Sequence, residues 1–458
     1  MLTYDMDNRG TETLQNHLYR CIREDIRSRR LSPDERLPSK RGLARHLHIS
    51  VITVENAYAQ LTSEGWLYAL PRKGFFVSRV EHPPEDLRYA PPGVAPQPVA
   101  EYRLDLGRGR VDPSRFPFAT WSRLMRQVLS EQDKKLLLPI PSQGVEALRD
   151  AIAAYLHSFR GMEVSPEQII VGAGTEYLYQ MITLLLGRGL RFAVEDPGYS
   201  KPERIYRSNG VDCVSVPLDE WGMSVSALGR SGAQVAHVSP SHHYPTGISM
   251  PIGRRQELLR WAGTERYILE DDYDSEFRFT GHPVQTLQSI DRQGRVIYLN
   301  TFSQTIAPSM RISYMVLPPR LVERYRRELG FYACTVPSFE QFALAKFIAG
   351  GYFEKHLNRM RLFYRTRREQ VLSAFRSSSF AHRITLTERG AGLHFLLKLQ
   401  TERSDEELRS RALALGIHLS FLSEYTRRGG FEHTLVINYG GVERPEEAVL
   451  ALAEVFAE

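Results

Sequence analysis

Tyr298-Leu-Asn-Thr-Phe-Ser-Gln-Thr-Ile-Ala-Pro-Ser-Met-Arg311 is the stretch on which the reading of this chain turns. It begins inside the apolar run Arg295-Val-Ile-Tyr-Leu299, a strand candidate, and runs on through Thr301, Ser303 and Gln304 to Pro308 and Arg311. Similar short apolar runs lie on either side: Ile169–Gly172, Arg191–Glu195, Gln234–Ser239, Tyr267–Glu270 and Ser313–Leu317. Helical stretches such as Thr175–Leu186 and Arg254–Trp261 separate most of them. This alternation, from about residue 102 onward, predicts an α/β domain with a mostly parallel sheet. Ligands of such sheets bind beyond the carboxyl ends of the strands. There the chain carries Gly172-Ala-Gly-Thr175, Glu195-Asp-Pro-Gly-Tyr199 and Glu270-Asp-Asp-Tyr273.

In this order, the segments resemble the pyridoxal 5′-phosphate (PLP) enzymes of the aspartate-aminotransferase fold (fold type I). In that family the central stretch reads Thr-Phe-Ser-Lys-x-x-x-Pro-x-x-Arg. Thr301, Phe302, Ser303, Pro308 and Arg311 match, and Gln304 stands at the lysine position. The resemblance implies a cofactor set of Ala173, Gly174, Thr175, Tyr199, Asp271, Tyr273, Ser303, Gln304 and Arg311. Backbone N–H groups and the hydroxyl of Ala173-Gly-Thr175 would cradle the phosphate at a helix start. Tyr199 would stack on the pyridine ring, its bland alternative being a core tyrosine. Asp271 would pair with the pyridinium nitrogen, with Asp272 the rival one register away. Tyr273 would reach the phenolic oxygen, and Arg311 would clamp the phosphate.

Gln304 sets the chemistry apart. The family lysine forms the Schiff base and shuttles the proton. A glutamine amide hydrogen-bonds, but it neither attacks nor titrates near neutrality. The expectation is a PLP site without covalent capture and without catalytic residues. Two origins stay open: an introduced lysine replacement, favoured by the otherwise intact pocket, or a natural regulator that binds PLP, its amine form or another ligand. A second departure is His433–Gly440, which lacks the arginine that many aminotransferases use for a substrate carboxylate. Arg427 and Arg428 lie nearby and read more simply as loop charges. A third is Leu138, near where relatives often have a phosphate-reaching tyrosine.

Length and composition bound the rest. The 458 residues are 42% hydrophobic, enough for two or more packed domains. No apolar run approaches the ~18 residues of a membrane helix. The polar start (Asp5, Asp7, Glu12) does not read as a secretory signal. Cys21, Cys213 and Cys334 offer no disulfide framework, as expected in the cytoplasm. His242-His243 has no partner at ligand spacing, so no metal site is expected. The net charge is +6, and residues 1–80 hold 13 Lys/Arg against 9 Asp/Glu. That excess hints at a polyanionic partner, although a solvated surface would look the same.

The first eighty residues have their own period. Leu14, Leu18, Ile22 and Ile26 mark one helix face, Ser39 caps a short second helix, and Val51–Glu64 forms a third. Trp66–Leu70 and Phe75–Val77 read as strands around the turn Pro71-Arg-Lys-Gly74. Three helices and a β-ribbon make a winged helix-turn-helix. Arg36–Arg45, Ser50-x-x-Thr-Val54, Ala57-Tyr-x-x-Leu61 and Glu64-Gly-Trp-Leu67 resemble the GntR-type DNA-binding domain. Ser39, Arg41, Thr53, Arg72 and Lys73 are the candidates for phosphate contact, and Val51 occupies a position where that family often has arginine. A helical protein-interaction module is the plainer alternative.

Residues 81–98 contain six prolines, which places a stiff linker at 81–101 between a DNA-binding domain (1–80) and the α/β body (102–458). The whole chain resembles the MocR/GabR group, with Ser239–Gly247 and Glu270–Phe277 especially typical. The resemblance implies a bacterial transcription regulator acting on a double-stranded operator, with PLP, an amino acid or an amine as effector, and a head-to-tail homodimer. A PLP-dependent aminotransferase with an accessory DNA-binding domain is the alternative. It would need a lysine, and Lys346 and Lys355 read as surface residues. A constitutive DNA-binding protein with the body as dimerisation platform is the third reading.

Overall fold

The computed structural model describes residues 2–80, 102–107, 112–131, 134–279 and 284–457. The expected linker, 81–101, lies outside the described residues. The chain divides into two compact units, 1–98 and 99–458.

In the first unit, α1 (Leu14–Arg27), α2 (Lys40–His46) and α3 (Val51–Ser63) are followed by β1 (Leu67–Leu70) and β2 (Gly74–Val77). Each helix starts at a hydroxyl cap. Thr13, Ser39 and Ser50 accept the backbone N–H of Asn16, Gly42 and Thr53. Leu18, Ile22 and Ile26 of α1 pack with Leu43, Val54, Tyr58 and Leu61 in one core. The strands form an antiparallel ribbon, with Leu67 opposite Val77, and Arg72 and Lys73 lie in its turn.

In the second unit a short β3 (Leu104–Asp105) precedes α4 (Phe118–Glu131) and α5 (Glu146–Arg160). Then strands and helices alternate: β4 (Ile169–Gly172), α6 (Thr175–Leu186), β5 (Phe192–Asp196), α7 (Ser200–Ser208), β6 (Cys213–Asp219), β7 (Gly222–Met223), α8 (Val225–Arg230), β8 (Val235–Val238) and α9 (Ile252–Ala262). β9 (Tyr267–Asp271), α10 (Leu287–Ile290), β10 (Val296–Thr301) and β11 (Ser313–Val316) complete the central sheet. Its order is β4-β11-β10-β9-β8-β5-β6-β7. β6, β5, β8, β9 and β10 run parallel, and β11 is antiparallel to both its neighbours. The buried strands are largely apolar where helices cover both faces, and several turn polar at their carboxyl ends.

After α11 (Pro319–Glu328), α12 (Ser338–Ala349) and the long α13 (Tyr352–Arg376), a smaller lobe is built from β12 (Ile384–Thr387), β13 (His394–Leu399), α14 (Asp405–Ala414), β14 (Ile417–His418), β15 (Thr434–Asn438) and α15 (Pro445–Phe456). β12, β13 and β15 form an antiparallel sheet, and β14 pairs with β3. The expected parallel α/β sheet is present. β6 and the three-stranded sheet go beyond what the sequence pattern announces. No helix among the described residues is long and apolar enough to cross a membrane.

Candidate functional site

A cavity of about 470 Å³ opens at the carboxyl ends of the parallel strands, with β13, β14 and β15 contributing from the smaller lobe. Thr175, Tyr199, Asp271, Tyr273, Ser303, Gln304 and Arg311 all line it. Ala173 and Gly174 do not. The Ala173 amide is donated to Thr335 Oγ1 at 3.0 Å, so it serves the loop and not the cavity. Gly174 instead caps α6 at φ +93°, and a Cβ there would collide with the Arg311 guanidinium.

The two consecutive aspartates are separated by strand geometry. Asp271 ends β9 and faces the cavity, where its Oδ2 accepts from the Tyr179 hydroxyl and lies 3.3 Å from His237 Nε2. His237 is fixed in turn by Tyr206, whose hydroxyl is 2.7 Å from Nδ1. Asp271 Oδ1 is buried and has no partner among the described residues. Asp272 instead binds Arg160, the Tyr298 hydroxyl at 2.7 Å and the Ser275 hydroxyl at 2.8 Å. Burial alone would raise its pKa, but the Arg160 charge and the hydrogen bonds from Tyr298 and Arg160 hold it below the ordinary value.

At the opposite end, Arg311 sits in the left-handed region (φ +51°) and pairs with Glu176. Lys201 donates to the other Glu176 oxygen at 2.8 Å. Burial works to raise the Glu176 pKa, yet the two cations outweigh it and bring it to about 2. The Ser303 hydroxyl, next in sequence to Gln304, is buried and also lacks a partner among the described residues. Gln304 follows β10 in the turn to β11, and Thr301↔Ser313 pairing closes that turn. Lys346 is paired with Glu131 and Lys355 is exposed, and neither lines the cavity.

Three titratable groups of the remaining wall, Glu195, His243 and His394, are held towards their neutral forms by burial. Burial raises the Glu195 pKa to about 8, and its carboxyl accepts the Ser239 amide at 3.0 Å. Burial and the neighbouring His242 push His243 down to about 3 and His394 well below its usual value. Arg427 and Arg428 are engaged by Glu203 and Asp196, and Leu138 is exposed; none of the three lines this cavity. Sequence reasoning missed Glu176, Lys201 and His237. Glu176 directly follows one quoted motif and Lys201 lies two residues beyond another, but only the fold shows that they meet.

An unpartnered carboxylate oxygen, a free buried hydroxyl, a glycine-guarded helix start and two cations fit a phosphorylated pyridinium. Asp271 would hold the ring nitrogen, and Thr175, Ser303 and Arg311 the phosphate.

Two family models match. "Bacterial regulatory proteins, gntR family" covers residues 14–77, and "Aminotransferase class I and II" covers 104–424. The protein is therefore of the class that joins a winged DNA-binding head to a fold-type-I aminotransferase-like body. The chain belongs to the MocR-type transcription regulators. It is 36% identical over 452 residues to the Bacillus subtilis regulator YhdI, covering 97% of this chain and 96% of that one. It is 32% identical to the "probable rhizopine catabolism regulatory protein MocR" of Rhizobium meliloti, covering 97% of this chain and 93% of that one. The body is similar to the kynurenine aminotransferase of Pyrococcus horikoshii, with TM-score 0.69 and 25% identity over 78% of this chain and 91% of that one.

Proposed function

We propose that this transcription regulator senses PLP, or an amine form or adduct of it, without covalent capture, and that occupancy of the cavity changes the affinity of the winged head for operator DNA. The observation that carries this reading is Gln304 on the cavity wall together with the unpartnered Asp271 oxygen. Asp271, held by Tyr179 and His237, keeps the pyridinium protonated, Tyr199 offers its ring for stacking, and Tyr273 is placed for the phenolic oxygen. Bound PLP supplies an electron-withdrawing ring. Residue 304 supplies no nucleophile and no proton relay for it. Lys201 does not substitute: its ammonium is held charged by the Glu176 hydrogen bond, the largest cause of its raised pKa.

In this reading residues 1–80 bind the operator, 81–101 tether them to the body, and 102–458 bind the effector and form a head-to-tail homodimer in the cytoplasm. Ser39, Arg41, Thr53, Arg72 and Lys73 approach DNA phosphates. Ligand binding acts by favouring one arrangement of heads and body.

The test is a PLP titration of the protein and of Gln304→Lys, with absorbance and thermal stability read together. Both are stabilised, and only the lysine variant gains the absorbance of covalently held cofactor. If neither responds, the cavity is not a PLP site. Turnover of an amine to a keto acid by the Gln304 protein would instead make it an enzyme.

A further inference from the structure

Most of α3 is accounted for by packing: Val54, Ala57, Tyr58 and Leu61 are buried in the head's core. Its first turn is different. Val51 is 42% and Ile52 68% exposed, two β-branched apolar side chains standing in solvent. Neither is needed to start the helix, since Ser50 already caps it by accepting the Thr53 amide at 3.0 Å. Asn56, one turn beyond Ile52, is exposed on the same side. This strip belongs to a charged surface. Lys40 at the start of α2 donates to Glu55 of α3 at 2.6 Å and also lies 5.3 Å from the Phe75 ring of β2. One lysine thus ties the starts of α2 and α3 to the wing. Arg41, Arg45, Arg72 and Lys73 are exposed on these same elements.

An exposed apolar pair in the first turn of α3, on a unit whose α2 and wing carry exposed cations, fits the major groove better than it fits water. Residues in the first turn of such a helix meet base edges. Aliphatic side chains have one specific partner there, the thymine C5-methyl, while asparagine pairs with adenine. We infer that Val51 and Ile52 read thymine methyl groups, with Asn56 facing an adjacent adenine, so that the regulator selects A·T base pairs where α3 meets the groove. This rests on the DNA-binding reading above and adds the base chemistry to it.

The test uses the full chain and a randomised duplex library, with affinities of the selected duplex then measured at fixed salt. Replacing single thymines by deoxyuridine removes only the methyl. Affinity falls about fourfold at one or two positions per half-site, the scale of one methyl returned to water. In Val51→Ala/Ile52→Ala that uracil penalty disappears, while binding to unrelated duplex and its salt dependence stay unchanged, which shows an intact head. Val51→Arg moves the preference at one position to guanine. Uracil tolerated at every position, or an unchanged penalty in the double variant, overturns the inference. Selection of no sequence while duplex binding persists also overturns it. Failure of the full chain to bind any duplex, with and without PLP, refutes the DNA-binding reading beneath it. Loss of self-association in the alanine variant would assign the apolar pair to a second copy of the chain instead.

Discussion

Asp271 and Asp272 share a peptide bond and have different surroundings: each keeps one oxygen without a partner among the described residues, but the first lines the cavity, while the second is locked through Oδ2 to Arg160 away from it. Because strand side chains alternate, one residue of register separates a ligand-facing group from a structural one. Asp271→Asn is therefore expected to weaken PLP binding more than tenfold while leaving the unfolding midpoint nearly unchanged. Asp272→Asn has the reverse signature. It leaves the Arg160 charge buried without its counter-ion and lowers stability by about 3–5 kcal/mol. Urea unfolding and ligand titration of both variants check the pair.

Glu176 pairs with both cations at one end of the cavity, Arg311 and Lys201. Its replacement in Glu176→Gln removes a negative charge beside the place where phosphate would sit. PLP binding is expected to tighten roughly threefold to tenfold, as one nearby charge at partial exposure would do. Binding of unphosphorylated pyridoxal should not change. Calorimetric titration of both vitamers decides it.

Glu195 gives a pH signature. Its carboxyl keeps its proton in the folded protein up to about pH 8, against an ordinary value of 4.5. The unfolded chain releases that proton earlier, so between these values the folded state binds more protons and stability falls as pH rises. The contribution is complete below pH 4.5 and lost through pH 8. Glu195→Gln should remove up to about 1.4 kcal/mol per pH unit of this slope. His243, held near 3, acts in the opposite sense below pH 6.5, so the Glu195 effect is clearest between pH 6.5 and 8. Chemical denaturation of protein and variant across that range measures the difference.

At the wing, Arg72→Ala and Lys73→Ala are each expected to reduce the slope of log affinity against log salt by about 0.9 and to weaken all duplexes alike. A change in preferred sequence would show that these residues touch bases.

Much of this architecture was legible in the chain. β4, β5, β8, β9, β10 and β11 each carry a short, mostly apolar run, and such runs survive as signals because both sheet faces are covered. The winged head was legible because caps, helix faces and turn residues agree over sixty residues. β6, Cys213–Asp219, was hidden by its polar positions and Pro217. The smaller sheet joins β13 to β15 across a long insertion, a pairing no local pattern announces. At the site, glycine and aspartate motifs pointed to the correct strand ends. What they could not convey was electrostatic: Lys201 and Arg311 lie far apart in sequence and meet through one carboxylate only after α6, α7 and the β10–β11 turn are assembled.

The β10–β11 turn is stitched at both edges, with β10 paired to β9 and β11 paired to β4. A ligand resting on Gln304 and Arg311 therefore leans against masonry and not against a door. Across the cavity His394, His418 and Asn438 line it from β13, β14 and β15. On the reading proposed above, the turn that would recognise the effector is part of the frame, and it would select by holding its shape.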